Sequence, residues 1–227
     1  MPSRRPDPGP TTAAALAAEL RRAVLEGDLP PGTPLRQEEL AVRHGVSRHT
    51  LRSALATLAA ERLVTPVAYR GARVAELDDA ALVALQQLRC ALETEAVRLL
   101  LETHGSAWPP QVTGPLDAAL AELAAAEAGA DWAATARAHA GVHRALVDAA
   151  GSPRIAEAHA ALDAELLLLL RHVRPHYGPG ALAAEHRAYL REVRAGSLDA
   201  VRSHLAHSTE VIRAGRRAAG TTDRPPG

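Results

Sequence analysis

Lysine and phenylalanine are absent from this 227-residue chain, cysteine occurs once, and aromatic residues make up only 2% of it. Without phenylalanine, the 47% of hydrophobic residues are chiefly Ala, Leu and Val, which suit close-packed helices better than a β-sandwich. The single Cys90 excludes an internal disulfide framework and fits a reducing compartment. No apolar run approaches the roughly 18 residues that a membrane-spanning helix needs. The opening MPSRRPDPGP has arginines but no apolar stretch, so it does not resemble a secretory leader. A cytoplasmic chain with no membrane partner is expected, long enough for two domains that each bury a core. The net charge of +0 argues against nucleic acid at first sight. The two halves differ, however: residues 1–76 hold 11 arginines against 8 acidic residues, net +3, and the remainder holds 15 against 18, net −3. In the absence of lysine every such cation is a guanidinium, the fork best suited to guanine or phosphate.

The chain is punctuated by Gly, Pro and capping residues. Four prolines in residues 1–10 predict a disordered arm over 1–11. Thr12 caps a helix over about 12–27, with Leu16, Leu20, Ala23 and Val24 on one stripe, and Gly27 with Pro30-Pro31 ends it. A second helix over about 37–44 turns at Gly45. Ser47 then caps a third over about 48–61, which buries Leu51, Ala54, Leu55 and Leu58. Leu63–Val67 and Ala72–Ala75 alternate like short strands around Tyr69-Arg70-Gly71. From Asp78 the pattern is helical throughout, with helices expected near 78–103, 115–128, 131–150, 153–173, 179–195 and 198–218. The fold expected is mostly α: a winged helix-turn-helix over 12–76, an all-helical bundle over 78–218 and a flexible tail over 219–227.

In a helix-turn-helix the second helix lies in the major groove and its first turn reaches base edges. That turn holds Ser47, Arg48, His49 and Thr50, with Arg52 one turn further on. Arg48 is placed for a bidentate contact to guanine, and Ser47, Thr50 and Arg52 for phosphate contacts that position without reading sequence. Arg70 and Gly71, at the wing tip, are placed for the minor groove. The alternatives are a helical hairpin with a solvated arginine face, or a winged helix that meets only protein.

GDLPPGTPLRQEELAVRHGVSRHTLRSAL, AAERLV and RGARV together resemble the N-terminal domain of GntR-type bacterial transcription regulators. LRCALETEAVRLL, HRALVDAAGSPRI and EHRAYLREVRAGS are similar to the all-helical (FCD-type) effector domain of the FadR-like branch. The resemblance implies DNA contacts from Ser47, Arg48, His49, Thr50, Arg52 and Gly71. Three positions depart from the pattern. Glu38 stands where many relatives carry an arginine that touches DNA, His49-Thr50 replaces a common Thr-Pro pair, and Arg62 replaces a usual glycine before the wing.

Nine of the eleven histidines follow residue 100. His139 and His143 are spaced i, i+4, so both project from one helix face, as when two imidazoles grip a metal. Such a pair is also common as plain core or surface structure. FadR-like effector domains of one type place an Asp and a His one turn apart, then two His on later helices, around a divalent metal. By that resemblance His143 and His186 occupy two of the places and His139 replaces the Asp. The last place aligns with Ser208, leaving His207 one residue away and His204, one turn earlier, as its alternative. The implied set is His139, His143, His186 and His207, and its imidazole-rich character favours Zn or Ni over Mg or Ca. Relatives use an arginine near Arg89 to hold an acidic effector, while an i, i+4 surface pair with Glu93 is the other reading.

The chain holds no GxSxG, HExxH, P-loop or GxGxxG pattern, so catalysis is not expected. The expected protein is a homodimeric repressor of a palindromic duplex operator, controlled by an organic acid. A constitutive DNA-binding protein with a degenerate effector site, or a helical-bundle metalloenzyme, is the alternative.

Overall fold

The computed structural model describes residues 12–68, 71–129, 131–170 and 177–222, and the chain divides into two compact units after Glu76. The first unit carries α1 (Ala13–Glu26), β1 (Pro34–Leu35), α2 (Gln37–His44), α3 (Arg48–Ala60), β2 (Val64–Val67) and β3 (Gly71–Val74). Thr12 Oγ1 accepts from the Ala15 amide at 3.1 Å and Ser47 Oγ from Thr50 at 3.0 Å, so each cap satisfies an amide the first turn would orphan. Gly27 and Gly45 both adopt left-handed φ at the ends of α1 and α2. Leu16, Leu20 and Val24 of α1 and Leu51, Ala54, Leu55 and Leu58 of α3 are buried together with Leu63 and Val74. The sheet has the antiparallel order β1-β3-β2, with Pro34 opposite Arg73 and Thr65 opposite Arg73 on its other side.

The two-residue β1 is too short to announce itself in a hydropathy pattern. Its consequence shows at Gly71, where φ is 102° and a Cβ would collide with the Leu35 carbonyl oxygen. Glycine is therefore required there by strand packing alone. Arg62 is the only non-glycine residue with positive φ among the described residues, at 56°. The family resemblance implies a glycine at this position, and the left-handed conformation costs an ordinary residue about 1–2 kcal/mol. Arg62→Gly is expected to stabilise the first unit by about 1 kcal/mol. Thermal unfolding reads this directly, and an unchanged midpoint would contradict it.

The second unit is a bundle of α4 (Asp79–His104), α5 (Pro110–Glu127), α6 (Trp132–Ala149), α7 (Pro153–Ala160), α8 (Asp163–Leu170), α9 (Ala181–Arg194) and α10 (Asp199–Thr222). Three helix boundaries differ from the sequence expectation: α10 runs a turn past 218 to Thr222, into the expected tail, and two others lie in α5 and after α7. Pro110 starts α5 a full turn before 115, and Pro115 sits inside the helix, where it forgoes a single backbone bond without ending it. The helix expected over 153–173 is broken after Ala160. Leu162 N bonds His159 O at 3.0 Å across the turn, and residues 171–173 lie outside the described ones. Gly180 offers α9 no capping side chain, so Glu127 of α5 caps it instead, its two oxygens each 2.9 Å from the Leu182 and Ala183 amides. Leu116, Leu123, Val142, Leu146, Leu190 and Val193 form one part of the core, and Leu82, Leu85, Leu166, Leu169 and Ile212 another.

Candidate DNA-reading face and histidine centre

The arginine edge of α3 lies on the outside of its unit. Ser47, Arg48, His49 and Arg52 are exposed and Thr50 is half-buried. Ser47 and Thr50 share a hydroxyl–hydroxyl bond of 2.8 Å, which locks the first turn of α3 and partly occupies both hydroxyls. Arg48 NH2 lies 2.9 Å from Glu38 Oε1 of α2. Arg36, Gln37, Glu38, Arg48, Arg52 and Gly71 border a concavity of about 730 Å³ between α2, α3 and the β2–β3 flap. The flap expected from the sequence is therefore present, on the face that carries the guanidinium groups. Arg70, expected at the wing tip, lies outside the described residues.

The bundle encloses a different chemistry. The buried face of α4 runs Leu82, Leu85, Gln86, Arg89, Glu93, Ala96, Val97 and Leu100, so three polar side chains interrupt an apolar stripe. Glu93 is fully buried, and its two oxygens meet three hydrogen-bonding side chains and the Arg89 guanidinium as an ion pair. His143 Nδ1 at 2.9 Å and the Tyr189 hydroxyl at 3.3 Å meet Oε2, while His159 Nε2 at 3.3 Å and Arg89 NH2 at 3.0 Å meet Oε1. Burial alone would raise its pKa. The facing His143 and Arg89 and the hydrogen bonds it accepts outweigh that and hold it well below the usual carboxylate range. Burial, reinforced by Glu93, pushes the Tyr189 hydroxyl far up, so it stays a donor. The Arg89–Glu93 pair thus exists, but inside the bundle and not on its surface.

The imidazoles gather on the far side of His143. His139, His143 and His186 are buried, and one ring nitrogen of each lies within 4.8 Å of the others. Bond donors settle two of the tautomers. Glu93 can only accept, so His143 Nδ1 carries the hydrogen, and its Nε2 is left as a lone pair. His186 Nδ1 lies 2.8 Å from the Leu182 carbonyl oxygen, so it too must donate and leave Nε2 bare. Those two bare Nε2 atoms face each other at 3.2 Å. Two lone pairs at that distance repel unless a proton or a metal ion lies between them. His139 Nδ1 is buried with no hydrogen-bond partner. Burial first, then the neighbouring imidazoles, push His139 and His186 well below the usual histidine range, and burial lowers His143 to about 4.

His204, the alternative fourth member, is buried with its ring 4.7 Å from that of His186. Its Nδ1 lies 3.3 Å from Glu185 and its Nε2 has no partner. His207 has 60% of its side chain exposed, at 3.8 Å from the opposite oxygen of Glu185, so it is not brought to the cluster. Rotation about α10 explains the correction: Ser208 lies about 40° to one side of His204 and His207 about 60° to the other, so only His204 shares the inward face with Ser208. Ser208 itself accepts from Gln86 Nε2 at 3.1 Å, and Gln86 Oε1 in turn accepts from Arg89 NH1 at 2.8 Å. Arg89 Nε and NH2 have no hydrogen-bond partner, and Arg89 does not border the small cavity beside His139. That cavity, of about 10 Å³, lies against Trp132, Ala136, His139, Tyr177, Ser208 and Ile212, and has room for about one water.

A divalent metal passes the test these atoms set. Two imidazole nitrogens on one tetrahedral metal at about 2.0–2.1 Å are separated by about 3.3 Å, close to the observed Nε2 pair. Beside that pair, His139 Nδ1 and His204 Nε2 are buried ring nitrogens without a hydrogen-bond partner. Glu93 was not anticipated, although the stripe on α4 placed it inward. Its i, i+4 spacing from Arg89 fits an ion pair on a helix surface as well as one inside a bundle. His159 and Tyr189 carried no signal, since their role follows only from the packing of α7 and α9 against α4.

Comparison with known proteins bears on both units. Residues 12–74 match the model of the bacterial regulatory proteins of the gntR family, and residues 84–210 match the FCD domain. A protein of Paenarthrobacter nicotinovorans named "Probable D-xylose utilization operon transcriptional repressor" is 29% identical over 200 residues, 86% of either chain. The "HTH-type transcriptional repressor GlaR" of Escherichia coli is 33% identical over 93 residues, 41% of this chain and 42% of that one. Among solved structures, a GntR transcriptional regulator from Rhodococcus sp. RHA1 superposes with a TM-score of 0.69 at 24% identity, covering 92% of this chain and 97% of its own. The E. coli protein McbR/YncC gives 0.65 at 20% identity over 93% and 98%. At such identities the likeness speaks for the fold. Among the described residues no helix is long and apolar enough to cross a membrane. The family models fall on the helix-turn-helix and on the bundle that holds the histidines, and they cover most of the chain: it belongs to the GntR family of bacterial DNA-binding transcription regulators, in the group whose C-terminal domain is an FCD domain.

Proposed function

We propose that this regulator is a cytoplasmic, homodimeric repressor whose grip on a palindromic operator is loosened by a small organic acid bound in the bundle through a divalent metal. The domain limits read from the sequence, 12–76 for DNA and 78–218 for effector and dimer contacts, are part of the proposal. So are Ser47, Arg48, His49, Thr50, Arg52, Arg70 and Gly71 as the DNA-contacting set. Repression is supported by the names of two relatives. The observation that carries the effector reading is the pair of bare Nε2 atoms at 3.2 Å. His139, His143 and His186 would hold the metal, Zn or Ni by donor chemistry, with His204 as the fourth side chain in reach. When bound, it would supply a Lewis-acidic docking point for a carboxylate.

Charge favours an acid only in that loaded form. Arg89 and Glu93 cancel each other and the three imidazoles are neutral, so the protein groups alone leave the centre close to uncharged. Two added positive charges change that. Arg89 would support the anion at one remove, through Gln86 to Ser208, which lines the cavity, while its Nε remains a spare donor. Room for only about one water means that the bundle must open to admit an acid, and opening is the conformational difference an effector could exploit.

Gel shifts on a duplex selected from a random library test this. A panel of mono- and dicarboxylates is added to Zn-loaded and to chelator-treated protein. One or more acids should release the duplex from the loaded protein and none from the stripped one. Equal binding throughout the panel in both forms would leave a constitutive DNA-binding protein.

A further inference from the structure

The first turns of α2 and α3 bring one acidic side chain against the arginine placed to read DNA. Glu38 and Arg48 are both about three-quarters exposed, with Glu38 Oε1 2.9 Å from Arg48 NH2. An exposed pair of this kind contributes little to stability. A carboxylate beside Arg48 also weakens attraction to phosphate, a poor choice if Arg48 serves only as a positive charge. Its position makes sense if the pair meets base edges.

We propose that Arg48 and Glu38 together read the whole major-groove edge of one G·C base pair, which makes Glu38 a specificity-determining residue. The proposal rests on the reading that α3 enters the major groove. That edge presents guanine N7 and O6 as acceptors and the cytosine N4 amino group as a donor. O6 and N4 are hydrogen-bonded to each other across the pair, so they lie about 2.9 Å apart. The guanidinium and the carboxylate offer the complementary order of donor, donor and acceptor, and their own separation matches that spacing. On an A·T pair the carboxylate would instead face the O4 acceptor of thymine. Glu38 therefore adds rejection of A·T to the guanine preference that Arg48 would supply alone. Meanwhile it holds the fork in place and keeps Arg48 neutralised on random DNA.

The test uses duplexes selected by the full-length protein. The wild-type protein should enrich a G·C pair in each half-site whose selection is lost in Arg48→Ala. Replacing its cytosine with N4-methylcytosine removes the one free amino hydrogen and leaves guanine intact. Affinity of the wild-type protein should then fall about 5- to 100-fold, as expected for loss of a base-edge contact. Glu38→Ala should bind methylated and unmethylated duplexes alike, and should discriminate G·C from A·T at that pair 5- to 100-fold less well than wild type. If the wild-type protein ignores the methyl group while still selecting the pair, Glu38 does not read it and the inference fails alone. If the wild-type protein selects no sequence at all, the major-groove reading fails and takes this one with it.

Discussion

Glu93→Ala is expected to destabilise the C-terminal unit by about 3–5 kcal/mol, because it strands a buried guanidinium. Arg89 and Glu93 are 1% and 0% exposed, so neither can recover its lost partner from water. The same change removes the acceptor for His143, His159 and Tyr189. Unfolding of this unit should move down by something on the order of 10 °C, with the N-terminal unit unaffected. Burial without a partner, and not loss of a favourable pair, is the cause, and this can be separated by a double-mutant cycle. Arg89→Met combined with Glu93→Leu replaces both charges with apolar groups of similar bulk and should recover much of the loss. Additive destabilisation in the double variant would show that the two charges do not sustain each other. Glu93→Gln should be milder in stability but not in chemistry. Its amide can donate to His143 Nδ1, which moves the ring hydrogen to Nε2 and masks the lone pair that faces His186.

The helix-turn-helix was legible because most of its helix boundaries have a local cause. Thr12, Ser47, Gly27 and Gly45 act within one turn of themselves, and the apolar stripes of α1 and α3 repeat at helical spacing. β1 was not legible, since two residues carry no period, and the crowding at Gly71 that reveals its importance is a contact with Leu35. The bundle followed its periodicity except at the start of α5 and at the turn after Ala160. Pro115 is tolerated near the start of α5, and the break after Ala160 lies in alanine-rich sequence without a glycine or proline to mark it. The histidine centre was half legible. Spacing on α6 joins His139 to His143, but which residue of α10 faces inward depends on the rotation of that helix, and His204 wins over His207. Glu93 was hidden by a plausible surface role. A carboxylate on the buried stripe of a helix, one turn from an arginine on the same stripe, is the pattern to look for.

Zinc added at about 1,000 times its dissociation constant is expected to stabilise the wild-type protein by about 4 kcal/mol, again a shift on the order of 10 °C in this unit. His143→Ala and His186→Ala should abolish that shift, since each removes one of the two Nε2 atoms that face each other. His207→Ala should leave it intact, because that side chain is largely exposed. His204→Ala decides whether α10 supplies a fourth ligand. Glu93→Gln should weaken zinc about 10- to 100-fold without removing a ligand, the effect expected when the partner that fixes an imidazole's tautomer is altered. Acid should act in the same direction on the metal-free protein. The buried imidazoles have depressed folded-state pKa values, so the unfolded chain binds more protons below its own histidine value near 6.5. Stability is therefore fully present above that value and lost as pH falls, with the His143 contribution declining down to about 4. Zinc-induced stabilisation should fade over the same range as protons compete for the lone pairs. A zinc shift of equal size in wild type, His143→Ala and His186→Ala would place the metal on exposed histidines and overturn the centre as a binding site.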